Sequence, residues 1–235
     1  MENINKLVFE NIINIASTIN NSSILNEKYI HHYFTRLMQE SFSKIDLVKI
    51  NTNKLFPEWP TYNKFVGNEY ARYHYDQKKK NFFKQHKGYS GYIDFAIGSY
   101  NSPDIGVEFT LEEGWYNEAV IFDFLKLLDY DNPFKTVFSL NIIMRKKDLT
   151  KGKALINFEE KINQTLLEVR NRLNDNIDNN KEYHFIISEI SNNIKSDYNE
   201  RRHWYHSNLT GGWLEGENLP DLINQKTIMG QLKLF

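Results

Sequence analysis

Hydrophobic and polar positions alternate along this chain with two periods, and the changes between them predict the order of elements. Apolar residues at Leu7, Val8, Ile12, Ile13 and Ile15 recur with helical spacing and predict an amphipathic helix from Leu7 to Ile19, closed by Asn20-Asn21-Ser22-Ser23. A second helix is predicted from Asn26, a good N-cap, to about Phe42, with Ile30, Phe34, Leu37, Met38 and Ser41 on its inner stripe. Ile45, Leu47, Val48 and Ile50 predict a strand within Lys44 to Asn51, followed by an irregular aromatic region from Phe56 to Gly88. Gly91 to Gly98 then alternates with period two, Ser99 to Pro103 reads as a turn, and Asp104 to Leu111 alternates again. A strongly apolar helix follows from Asn117 to Asp129, ended by Asn132-Pro133. Beyond it come a buried strand from Lys135 to Met144, a helix from Asn157 to Leu173 and a strand from Tyr183 to Ile190. The remainder, with Arg201-Arg202-His203-Trp204-Tyr205-His206 and Gly211-Gly212, reads as a polar tail with a turn.

Strand parity singles out two acids. With Ile93, Phe95 and Ile97 facing one way, Asp94 faces the other; with Ile105, Val107, Phe109 and Leu111 inward, Glu108 and Thr110 share the opposite side. A short turn makes these strands antiparallel neighbours, so Asp94 and Glu108 can meet on one face. Paired carboxylates repel unless a cation sits between them, which suggests a hard-metal site; the plainer alternative is a solvated pair on a hairpin. Glu27 falls inside the apolar stripe of its helix and is either a partner for the helix dipole or an inward functional acid. Glu40 falls outside the stripe and is expected to be solvated.

Composition narrows the class. The 235-residue chain, with 14% aromatic content, is long enough for a real core, and its net charge of −1 excludes a globally basic nucleic-acid coat. It has no cysteine, which excludes disulfides and thiolate metal sites. Neither a signal-peptide pattern nor a long apolar run is present, so a cytoplasmic protein without a membrane partner is expected. Locally the balance changes. Lys64, Arg72, Lys78, Lys79, Lys80, Lys84 and Lys87 stand against Glu69 and Asp76, with Tyr70, Tyr73, Tyr75, Phe82 and Phe83 interleaved. Such a mixture suits a nucleic-acid-facing segment, and equally a lysine-rich surface loop.

The order helix, strand, strand with Asp94, strand with Glu108, helix, strand resembles the PD-(D/E)xK nuclease superfamily, over roughly residues 26–145. Asp94 matches the first motif acid, Glu108 in Val107-Glu108-Phe109-Thr110 the second, and Glu27 the acid that often opens the first core helix; Asp123-Phe124-Leu125-Lys126-Leu127 matches a pattern frequent on the following helix. The resemblance implies an α/β restriction-endonuclease-like fold, a mixed central sheet flanked by helices, in a single domain spanning 1–235. It also implies Mg²⁺ (or Mn²⁺) held by Glu27, Asp94, Glu108 and the Phe109 carbonyl, and hydrolysis of phosphodiester bonds in DNA or RNA, DNA being the expected partner. A homodimer is left open. Arg72, Lys78, Lys79, Lys80, Lys84, Lys87, Arg201 and Arg202 would hold the nucleic-acid backbone. One position departs from the motif: its lysine is Thr110, which cannot supply a positive charge. Lys126 is the substitute by order, with Asp94 and Glu108 completing the catalytic set, yet the helical wheel puts Lys126 away from the apolar stripe and predicts it to be solvated. Glu112 is a second substitute by parity. His203 and His206, alone in a polar tail, are expected at the surface. Two competing readings remain: a nuclease-like domain that has lost catalysis and binds or regulates, and a structural α/β protein whose acids are incidental.

Overall fold

The computed structural model describes residues 4–19, 26–44, 54–65, 89–112, 117–145, 160, 163–164, 167, 180–192, 199–208, 210 and 213–224. Helices α1 (Ile4–Thr18) and α2 (Glu27–Lys44) come first. Asn26 caps α2 as its sequence requires, its Oδ1 accepting the Tyr29 N–H at 2.8 Å. Strands β1 (Lys54–Phe65), β2 (Tyr89–Ser99) and β3 (Ser102–Glu112) form an antiparallel meander, and α3 (Asn117–Leu128) crosses over to β4 (Thr136–Arg145). Strand β4 lies parallel to β3 and to β5 (Glu182–Asn192); β6 (Asn199–Ser207) and the short β7 (Leu214–Gly216) add on antiparallel, and α4 (Leu219–Asn224) follows. The result is one seven-stranded mixed sheet in the order β1-β2-β3-β4-β5-β6-β7. No helix among the described residues is long and apolar enough to cross a membrane.

Two cores sandwich the sheet. On one face Val8, Phe9 and Ile12 of α1, Ile30 and Phe34 of α2 and Ile223 of α4 pack on Phe95, Val107, Phe109, Leu140 and Ile186. On the other, Phe124, Leu125 and Leu128 of α3 pack on Trp59, Ala96, Val137 and Phe185, with Phe124 stacked on Phe185 at 3.9 Å. The β2–β3 turn is tight because Gly98 takes a φ of 131°; a Cβ there would lie 2.8 Å from the Asp104 nitrogen.

Three expectations are corrected. The region from Phe56 onward is not irregular throughout, because Lys54–Phe65 is β1; Pro57 and Pro60 disguised it, and they are tolerated because β1 is the outermost strand. The polar tail is in fact β6, inserted between β5 and β7, and His203 is buried there at 1% exposure rather than at the surface. Its imidazole Nδ1 sits 2.9 Å from the Ser188 hydroxyl on β5, so a hydrogen bond replaces the water it gave up. Third, Ile93 does not share a face with Phe95 and Ile97: it packs with α3 while they pack with α1 and α2. Alternation fails at Asp94 because β2 leaves its partner there, as described below. The strand expected at 45–51 lies outside the described residues, and within the helix expected at 157–173 the described positions 160, 163, 164 and 167 are helical.

Candidate active site

The site forms where β2 and β3 part. Their pairing runs from Ser99–Ser102 to Phe95–Val107 and goes no further, although β2 continues beside β1 and β3 beside β4. Parting strands leave backbone groups unsatisfied, and side chains fill the gap. The Asp94 carboxylate takes the Phe109 N–H at 2.7 Å, which fixes it between the strands rather than on a solvent face. The Tyr92 carbonyl accepts from Lys126 Nζ at 2.8 Å, reaching in from α3.

Lys126 is therefore not solvated. Its side chain is 5% exposed, and Nζ lies 2.6 Å from Glu108 Oε1 and 3.1 Å from Asp123 Oδ1. The wheel failed because α3 has little wet face in this stretch: residues 123–128 are all buried, and a charge among them must find partners inside. The loop after α3 fixes the same end of the helix. Asn132 Nδ2 donates to the Lys126 carbonyl at 2.7 Å, while the buried Lys181 donates to the carbonyls of Leu127, Asp129 and Asn132. A cation on the last carbonyls of a helix also complements its dipole.

Thr110 donates its hydroxyl to Asp123 Oδ2 at 2.8 Å. Asp123 thus links Thr110 to Lys126. One ammonium faces two buried carboxylates. Burial pushes Glu108 well above the ordinary carboxylate range; Lys126 opposes the shift, and the charges of Asp94 and Asp123 add to it. Burial likewise raises Asp123, again against Lys126 and with help from Asp94. Perturbed carboxylates beside a buried ammonium are a combination that functional sites concentrate.

On the α2 side the arrangement is open. Glu27 and His31 are one turn apart on α2, and their ligand-type atoms, with one of Asp94, all lie within 4.8 Å of one another. Glu27 is exposed, whereas His31 and Asp94 are half-buried. The His31 ring stands edge-on to Phe95 at 5.3 Å and tilted on Phe109 at 5.9 Å, and its Nε2 lies 3.3 Å from Asp94 Oδ2. Burial lowers the His31 pKa, but the contact with Asp94 and the charges of Asp94, Glu27 and Glu58 outweigh it and leave the imidazole above its ordinary value. A cation is thus favoured at this spot. Two oxygens and a nitrogen from two elements, partly open to water, suit a divalent ion.

Of the residues expected from sequence, Asp94 meets Glu27 on the α2 side of the gap, whereas Glu108 meets Lys126 on the α3 side, so the two strand acids do not share one face as expected. Glu108 stands outside the three-residue ligand cluster, its Oε1 taken by Lys126. Phe109 is engaged through its N–H with Asp94. Glu40 is exposed and beside Arg36, as expected. Arg201 and Arg202 lie on β6, three strands from β3, or about 14 Å across the sheet. Arg202 pairs with Glu215 at 3.0 Å. Arg72, Lys78, Lys79, Lys80, Lys84 and Lys87 lie outside the described residues. Sequence reasoning missed His31, whose signal was its spacing of four from Glu27, and the role of Asp123 in orienting Lys126. No protein-family model, curated protein or solved structure matches the chain.

Proposed function

We propose that this chain is a metal-dependent nuclease-like protein of the restriction-endonuclease-like type, hydrolysing phosphodiester bonds in DNA (or RNA). The observation that carries the reading is that Glu27, His31 and Asp94 cluster on the α2 side of the point where β2 leaves β3, while Lys126 holds Glu108 on the α3 side of the same strands. Glu27, His31 and Asp94 would hold the ion. Such an ion, Mg²⁺ or Mn²⁺, supplies neutralisation of a phosphate and a more acidic bound water. The chain's own groups do the rest. The Phe109 N–H keeps Asp94 aimed into the gap, and Lys126 brings positive charge beside Glu108, where charge developing on a phosphate can be balanced. Burial holds Glu108 well above the ordinary carboxylate range, against the opposing charge of Lys126. Thr110 and Asp123 hold the lysine in position.

A second reading has its own support. The Lys126 ammonium has three donors, and it already contacts Glu108, Asp123 and the Tyr92 carbonyl. A cation so fully engaged can be structural, which favours a nuclease-like domain that binds nucleic acid without cutting it. Incubating the purified chain with plasmid DNA and with RNA in Mg²⁺, Mn²⁺ or Co²⁺ separates the two. The nuclease reading expects cleavage that disappears in Asp94→Ala. Absence of cleavage with every metal, or cleavage that survives Asp94→Ala, rejects it.

A further inference from the structure

The three-residue cluster is not an all-oxygen site, and this bears on which ion it takes. We infer that His31 is a metal ligand and that the site it forms with Glu27 and Asp94 selects Mn²⁺ over Mg²⁺. The inference rests on the metal dependence proposed above and adds the ligand that sets metal preference.

Three observations lead there. Glu27 and His31 project from the same face of α2, and their ligand atoms converge with that of Asp94 inside 4.8 Å. The imidazole is held before any ion arrives: Phe95 and Phe109 pack on its ring, and Nε2 is buried, 3.3 Å from Asp94 Oδ2, without a hydrogen bond. Its orientation is therefore built into the core, where Phe34 packs against the same two rings at 5.0 Å each. The oxygen donor that would otherwise complete a carboxylate set, Glu108, sits against Lys126 at 2.6 Å. What remains for an ion is one carboxylate from the helix, one from the strand and one imidazole. Mg²⁺ demands near-ideal octahedral geometry and gives up water reluctantly, whereas Mn²⁺, a first-row transition ion that shares its taste for carboxylates, admits one nitrogen donor at a smaller cost. The preference follows from the donor set rather than from affinity for acids in general.

The test is metal binding by the full-length chain, read without any substrate. Calorimetric titration should show Mn²⁺ binding at least about 10-fold tighter than Mg²⁺, in line with the ligand-type ordering of divalent ions. His31→Gln, which keeps a polar side chain and the helix, should weaken Mn²⁺ by about 10- to 100-fold or more and remove most of the preference, since even outer-shell losses reach that range. Glu108→Gln should change Mn²⁺ affinity far less. Pulsed electron paramagnetic resonance of bound Mn²⁺ should detect a directly coordinated nitrogen, lost in His31→Gln. Absence of nitrogen coupling in the wild type overturns the assignment even where the variant fails to fold. Mn²⁺ bound without nitrogen coupling, or with affinity unchanged in His31→Gln but abolished in Asp94→Asn, overturns the role of His31 and leaves a metal-dependent nuclease standing. Nitrogen-coupled Mn²⁺ binding without cleavage of any nucleic acid keeps the ligand assignment and rejects the nuclease.

Discussion

Replacing Lys126 by Met tests the buried charge cluster directly, because the side chain keeps its length and loses its charge. In the wild type one ammonium serves Glu108 at 2.6 Å, Asp123 at 3.1 Å and the Tyr92 carbonyl at 2.8 Å, with the lysine side chain 5% exposed. Removing one partner of a buried ion pair typically destabilises by about 3–5 kcal/mol, since the remaining charge is left without compensation. At a solvated lysine the same change falls within about 0.5 kcal/mol. The magnitude should also depend on pH. Without the ammonium, the native pKa values of Glu108 and Asp123, already raised by burial, rise further above their unfolded values. The native state then binds more protons than the unfolded chain, so the variant's stability falls as pH rises above the ordinary carboxylate range. Each unit of acidification toward that range recovers up to about 1.4 kcal/mol per carboxyl. Urea unfolding followed by tryptophan fluorescence, with the buried Trp59 and Trp204 as reporters, measures this at pH 7.5 and 5.5. The expected penalty is about 3–5 kcal/mol at the higher pH, and Lys126→Met with Glu108→Gln should recover a large part of it. A loss below about 1 kcal/mol, or one that is the same at both pH values, would refute the buried-cluster argument.

Further outcomes are expected. Thr110→Val should destabilise by about 1–2 kcal/mol in the same assay, because Asp123 loses its hydroxyl donor. Charge reversal at Lys78, Lys79 and Lys80 should weaken nucleic-acid binding regardless of sequence and flatten its salt dependence, as measured by filter binding at several salt concentrations; unchanged binding would make that stretch an ordinary surface segment. Burial, aided by the charge of Arg201, lowers His203 to about 4, so the unfolded chain takes up a proton between pH 6.5 and about 4 that the native state refuses. Stability attributable to this residue should therefore fall by up to about 3 kcal/mol as pH drops through that window, and the urea midpoint of His203→Gln should lose the corresponding slope.

How far the sequence reached depended on whether the signal was local. Asn26 capping α2, and β2 and β3 flanking Gly98, follow from neighbours within a few residues, and all were legible. Strand β1 was hidden because two prolines forbid an inner strand but not an outer one, and position in a sheet is a long-range property. Strand β6 was hidden because the partly exposed Arg201 and Arg202 read as a solvated stretch, and His203 is buried only where β5 and β7 flank it. The acids Asp94 and Glu108 could be placed on neighbouring strands by parity, but not on strands that separate between them. For that reason the inward path of Lys126 and the partnership of His31 with Asp94 had no local signature beyond spacing.

The outermost strand carries a consequence for how copies of this chain behave in a crowded solution. Pro57 and Pro60 each lack an N–H, and between them Glu58 adopts a φ of 52°, so the free margin of β1 cannot offer a straight, fully hydrogen-bonding ribbon. At the opposite margin β7 is three residues long, with Glu215 engaged by Arg202. Neither margin can template a further strand over any length, and both carry devices by which β-proteins avoid joining edge to edge. Among the described residues, growth of the sheet from one molecule into the next, the usual first step toward fibrous aggregates, is disfavoured at both margins.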